Sequence, residues 1–208
     1  MKMPWWIALV LAVLLGTGLA TAPAAPSDTT PSATSLEYLP DGRAMPPKDY
    51  RTWPFLTSSL DMNYSDGAAM IDHHIFDNVF VNPEALRIFQ TAGTWPDGTI
   101  LAKEDREGRT HGSINKSGQF QTDNLMGLEF HVKDTKRFKG GWAFFASSGT
   151  SPAGQIPTTA ACYSCHQSHA AVDTTFVQFY PTLIGIAAAK KTLSAAYIRE
   201  SSEASPRP

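Results

Sequence analysis

The chain has 208 residues, 42% of them hydrophobic and 17% charged, and a formal net charge of −2. Such a balance, with no basic stripe, excludes a nucleic-acid-binding surface. Once the N-terminal segments are set aside, about 170 residues remain, enough for one domain with its own core.

Residues 1–22 have the pattern of a secretory signal. Lys2 supplies the positive start, Trp5 to Leu15 an apolar stretch too short to span a bilayer comfortably, and Ala20-Thr21-Ala22 a small-residue cleavage site. Pro23 fits poorly after such a site, and cutting after Ala24 or Ala25 avoids it; an uncleaved anchor is the alternative. Residues 23–40 are expected to form a linker, since Pro23 to Ser35 is dominated by Ala, Pro, Ser and Thr and has too few large apolar groups to fold. The folded domain is expected over 41–188, with a C-terminal helix and a fraying tail over 189–208.

Within the domain, apolar runs are short and separated by turn residues, with 15 Gly and 15 Pro in the chain. This argues against a four-helix bundle and for an α+β fold, mainly antiparallel sheet with a few helices. Asn78 to Val81 has strand character. Asn82 then stands as an N-cap, Pro83 as first helical residue, and the helix is expected to stop at Gly93. Pro96-Asp97-Gly98 is a turn, and Thr99 to Lys103 a strand whose Glu104-Asp105-Arg106 end looks solvated. Gly112 to Gln121 has no clear period and is expected to be a mobile hairpin. Leu128, Phe130 and Val132 alternate with Glu129 and His131, which marks a strand with two distinct faces. A further strand runs from Trp142 to Ala146.

Cys162-Tyr163-Ser164-Cys165-His166 carries the chemistry. This CxxCH is the attachment pattern of a c-type haem: the thiols add to the macrocycle and the histidine ligates the iron. A zinc site needs a second ligand pair, and these are the only two cysteines. A redox CxxC is expected beside a βαβ pattern, which is missing. Export agrees with haem attachment, so a periplasmic location is expected. Thr158 or Thr159 is the expected cap of the helix bearing the motif, and Val172 to Tyr180 is expected to pack near the haem. Leu193 to Glu200 is expected as the last helix.

No methionine follows the motif. The iron is therefore expected to have His166 on one side and an open or weakly filled position on the other, which suits reaction or gas binding better than electron carriage alone. His169, one helical turn after His166, cannot reach the opposite face. For His73, His74, His111 and His131 a hydrogen-bonding or surface role is the expectation. His74 and Phe76 are the candidates for lining the distal pocket. Asp173 is a candidate acceptor for the second ring nitrogen of His166, with a backbone carbonyl as the commoner alternative.

Several stretches, in order, resemble the cytochrome P460 family. They are Lys48 to Trp53, Asn78 to Glu84, Asp97 to Glu104, Gly127 to Glu129, Val132 to Asp134 with Arg137-Phe138, Trp142 to Phe145, and Cys162 to Pro181. The resemblance covers Pro47 to Leu183; Gly108 to Phe120 matches poorly, and the chain beyond Leu183 extends past the family core. It implies a mostly β fold, a homodimer, and haem c on the late CxxCH. In one branch, hydroxylamine is oxidised to nitric oxide or nitrous oxide, a lysine is cross-linked to the haem, and a distal carboxylate takes protons. The positions matching these two residues are Lys103 and Glu129. A redox partner cytochrome is the implied electron acceptor. A second branch, the beta-type cytochromes c-prime, binds nitric oxide in an apolar pocket and lacks the cross-link. A simple electron-transfer cytochrome is the third reading. On sequence alone Lys103 resembles a surface lysine and Glu129 a solvent-facing carboxylate; the resemblance is what singles them out.

Overall fold

A computed structural model describes residues 35–63 and 74–204. The expected signal segment and His73 lie outside the described residues. The fold is α+β, built on a five-stranded antiparallel sheet in the order β1-β2-β3-β4-β5. The strands are β1 (Phe55–Leu60), β2 (His74–Val81), β3 (Ile100–Arg109), β4 (Phe120–Lys133) and β5 (Trp142–Ser147). Helix α1 (Pro83–Ala92) joins β2 to β3, while α2 (Ala161–His169), α3 (Ile184–Lys190) and α4 (Ala195–Ala204) follow the sheet. Among the described residues no helix is long and apolar enough to cross a membrane.

Alternation sends side chains to the two faces of the sheet. One face carries Ile100, Ala102, Leu128, Phe130, Val132 and Phe145, buried against Ala44, Tyr50, Trp53 and Phe138. Leu36 and Tyr38 also pack on this cluster, so the expected linker to residue 40 gives way to packed chain before that point. The other face presents Leu56, Val81, Leu101 and Trp142 to Ala85 and Phe89 of α1 and to Val172, Val177, Tyr180, Leu183 and Ala187. Phe89 packs at a tilt against Trp95 with ring centroids 4.2 Å apart, and the indole N–H of Trp95 donates to the Thr175 hydroxyl at 2.8 Å.

Helix α1 starts with Pro83 and ends at Gly93, whose φ of 76° requires the left-handed region that glycine adopts freely. The side chain of Asn82 does not cap the helix. Its Oδ1 accepts from the Ile100 amide at 2.8 Å and its Nδ2 donates to the Gly98 carbonyl at 3.2 Å, tying the helix entry to the start of β3. Neither Thr158 nor Thr159 caps α2, which begins after Ala160 without a side-chain cap. Helix α3, not expected from the sequence, follows Pro181, and the last helix begins at Ala195 rather than Leu193. The C-terminal segment is tied to the end of α2: the Ser194 hydroxyl donates to the Ala170 carbonyl at 2.7 Å, and His169 meets Glu200 at 3.1 Å.

The stretch Glu104-Asp105-Arg106 is not a solvated strand end. Strand β3 runs on to Arg109, and β4 begins at Phe120, so the uncertain stretch is the tip of a long hairpin held by Asn115. Glu104 is 4% exposed. Its carboxylate accepts from the Tyr50 hydroxyl at 2.6 Å, from Arg51 and Arg106 at 2.9 Å each, and from Asn78 at 3.3 Å. Two cations and two neutral donors compensate the buried charge, and burial with the bond to Glu104 pushes the Tyr50 hydroxyl up to about 12. Replacing a surface glutamate changes stability by about ±0.5 kcal/mol. Glu104→Ala is instead expected to cost about 3–5 kcal/mol, because it leaves the Arg106 guanidinium with backbone carbonyls but no counter-charge and takes the acceptor from the buried Tyr50 hydroxyl; guanidinium unfolding of the haem-loaded protein measures it.

Candidate functional site

Below its apolar end, the helix-covered face of the sheet turns polar. Along β2 the residues on this face run Val81, Val79, Asp77; along β3 they run Leu101, Lys103, Asp105. Antiparallel pairing sets Val81 opposite Leu101, Val79 opposite Lys103 and Asp77 opposite Asp105, and sets Lys103 opposite Glu129 across β3 and β4. Register alone therefore gathers three carboxylates around one amine. The Lys103 Nζ donates to Asp105 at 2.6 Å and to Asp77 at 3.2 Å, and lies 3.5 Å from Glu129. Gly127 faces Asp105, and a Cβ there would sit 3.3 Å from the Asp105 carboxylate, so a bare backbone keeps the group uncrowded.

These residues border a cavity of about 570 Å³, within the usual range for cofactor sites. Asp77, Lys103 and Glu129 line it from the sheet, and Cys162, Cys165 and His166 from α2. The three motif residues sit at i, i+3 and i+4, which places them on one helix face. Val79, Leu101, Phe144, Ile156, Phe176 and Phe179 supply apolar lining. Tyr163 holds α2 against β5: its hydroxyl accepts from the Phe144 amide and donates to the Ile156 carbonyl, both at 3.1 Å.

His166 is oriented by its Nδ1, 2.7 Å from the Thr174 carbonyl. A carbonyl only accepts, so Nδ1 carries the proton and Nε2 keeps its lone pair. Burial also pulls the pKa of His166 below its ordinary value, against the Thr174 bond, and keeps the ring neutral. The ring packs on Phe176 and Phe144 with centroids 4.1 and 4.6 Å away. Asp173 is not its acceptor: that carboxylate takes the Lys133 ammonium at 3.2 Å and the Trp95 amide at 3.4 Å.

Of the other histidines, His131 shares the cavity wall, while His74 and His111 lie elsewhere. His131 is buried edge-on to His166, with centroids 5.4 Å apart, and its Nε2 is 3.3 Å from the Thr174 hydroxyl. Burial holds it well below its ordinary pKa, so it is a neutral neighbour of His166. His74 pairs with Asp61 at 2.6 Å, and His111 contacts Thr110 in the hairpin tip. The expectation that His74 and Phe76 line the pocket is corrected: both have the wrong parity on β2, and Asp77 and Val79 stand there instead. Asp77 and Asp105 were missed by sequence reasoning. The signal was available in strand alternation carried one step beyond Val79 and Lys103.

The residues present fit a haem c. Two free, half-buried thiols and a neutral imidazole with a fixed tautomer open onto one cavity with apolar walls. Cys162 and Cys165 would hold the macrocycle through thioether bonds, and His166 would hold the iron. Among the described residues, no group of three or more His, Cys, Asp or Glu side chains is arranged to hold a bare metal ion.

The electrostatics of the sheet wall are uneven. Burial opposes the charge on Lys103, but Glu129, Asp105 and Asp77 outweigh it and hold the ammonium above the ordinary lysine pKa. Asp105 is pushed up to about 6, chiefly by burial, with the Lys103 bond opposing and the nearby carboxylates of Asp77 and Glu129 adding to the rise. A raised carboxylate pKa stabilises the fold while the group is protonated, and that contribution is lost as pH climbs from the unfolded value of about 4 through 6. Asp105→Asn mimics the protonated form. It is expected to raise Tm at pH 8 and to change it little at pH 4; a difference that does not grow with pH refutes the assignment.

The family model described as Cytochrome P460 matches residues 47–177. Among curated proteins nothing matches the chain. The matched span runs from the turn before β1 through all five strands and α2 to Val177, so it takes in the whole sheet, the CxxCH helix and the lysine–carboxylate wall. The chain belongs to the cytochrome P460 family.

Proposed function

We propose that this protein is a periplasmic mono-haem c-type cytochrome that oxidises hydroxylamine to nitric oxide or nitrous oxide and passes the electrons to another cytochrome. The observation that carries this reading is the pairing of Lys103 with Glu129 on the wall of the cavity that also holds Cys162, Cys165 and His166. The beta-type c-prime branch uses an apolar pocket. A wall bearing Asp77, Lys103 and Glu129 counts against that reading.

Haem c, when bound, supplies the redox centre that takes electrons from the substrate nitrogen. Each electron removed from hydroxylamine is accompanied by a proton, and the protein must accept it. Glu129 lines the cavity, and its side chain is 54% exposed, so it can take a proton from a bound molecule and pass it outward. Lys103 lies beside Glu129 on the cavity wall, and the proposed cross-link would run from its amine to the macrocycle. His166 donates its Nδ1–H to the Thr174 carbonyl, which leaves the Nε2 lone pair free to bind. The apolar lining from Phe144, Phe176 and Phe179 limits water at the reacting centre.

Protease digestion of the haem-loaded protein, followed by mass spectrometry, tests the cross-link. Haem is expected to join the Cys162–Cys165 peptide to the peptide containing Lys103. In Lys103→Leu, haem is expected on the cysteine peptide alone, with hydroxylamine-dependent reduction of an artificial acceptor abolished; full activity in that variant overturns the role of Lys103. Glu129→Gln is expected to keep both tethers and to lower kcat by about 10²–10⁴-fold, as for loss of a general base.

A further inference from the structure

The charges around the cavity do not balance. Among the described residues its charged lining consists of Asp77, Lys103 and Glu129, and Asp105 stands directly behind Lys103 at 2.6 Å. Arg51 and Arg106 are engaged by Glu104 on the opposite face of the sheet. One cation is thus shared by three carboxylates, all within 3.5 Å of it. Asp77 is fixed further by the Ser59 hydroxyl at 2.9 Å, and the wall is built from strand positions rather than a loop.

We propose that Asp77 and Asp105 are specificity-determining residues that make the cavity a charge filter, admitting uncharged and cationic amines and repelling anionic nitrogen species such as nitrite. Lys103 and Glu129 alone would form a neutral pair. Asp77 and Asp105 are the surplus, and neither is needed for Glu129 to accept a proton. The filter suits an enzyme whose substrate is a small amine and whose product can be oxidised further to an anion: the anion is driven out rather than held. If the Lys103 nitrogen becomes bonded to the macrocycle, its positive charge is lost and the field grows more negative. The sign of the field is therefore the same with or without the cross-link. The inference rests on the reading of this cavity as a haem pocket, not on hydroxylamine turnover.

The test is spectroscopic titration of the haem-loaded protein with azide and nitrite in the ferric state, and with nitric oxide in the ferrous state as an uncharged control. At an effective dielectric of about 20, one charge about 12 Å away alters anion binding by roughly tenfold. Asp77→Asn and Asp105→Asn are near-isosteric and keep an acceptor for Lys103. Each is expected to tighten azide and nitrite binding by roughly tenfold while nitric oxide affinity stays within about twofold. In the unsubstituted protein, azide affinity is expected to rise with ionic strength as repulsion is screened. Anion affinities unchanged by both substitutions, or equal shifts for nitric oxide and azide, overturn the filter, as does a flat salt dependence. Purified protein without haem bound at Cys162 and Cys165 overturns the haem reading itself.

Discussion

The pairing of β3 with its two neighbours is the constraint on which the site depends. Lys103 stands opposite Glu129 on one side and Val79 on the other, and Asp105 stands opposite Asp77. Each carboxylate reaches the amine because backbone hydrogen bonds align the strands. A slip of one residue would turn Lys103 and Asp105 to the packed face and bring Glu104 and Ala102 into the cavity. Such a slip is blocked from the other side of the same strand, where Ile100 and Ala102 are buried and Glu104 is held by four donors.

Adjacent residues of β3 therefore serve opposite purposes. Glu104 is compensated on all sides and anchors Tyr50, Arg51 and Arg106 to the sheet. Lys103 is overcompensated by carboxylates, and Asp105 is held in a place that disfavours its charge. Perturbed acids and bases of this kind cluster where chemistry is done. One face of β3 is packed and fully compensated through Ile100, Ala102 and Glu104, while the other combines the buried Leu101 with the charged group around Lys103.

Local signals were legible in the sequence. The CxxCH, the Asn82-Pro83 helix start, the Gly93 stop and the alternation around Leu128 are short-range patterns whose physics is contained in a few residues. Features that depend on long-range pairing were not. Glu104-Asp105-Arg106 has the composition of a solvated edge; only the partners supplied by Tyr50, Arg51 and β2 make it interior. His74 and Phe76 were placed by chemical type, yet parity on β2 decides which side chains face the cavity, and that parity is fixed by Val79 and Val81. Asp173 was a reasonable acceptor for His166 by sequence distance, but Lys133 and the Trp95 amide, from remote parts of the chain, take its carboxylate.

The acceptor that orients His166 is the carbonyl of Thr174, a main-chain group. No single substitution can delete it, so the imidazole's tautomer is insulated from point mutation in a way that a carboxylate partner would not be. The vulnerability is moved to the path of the chain. Asp173, immediately before Thr174, has a φ of 53°, a conformation that side chains rarely adopt, and its carboxylate is pinned by Lys133 and Trp95. Heritable variation in this hydrogen bond therefore acts through the turn that carries Thr174, and through Lys133 and Trp95, which hold Asp173 in place.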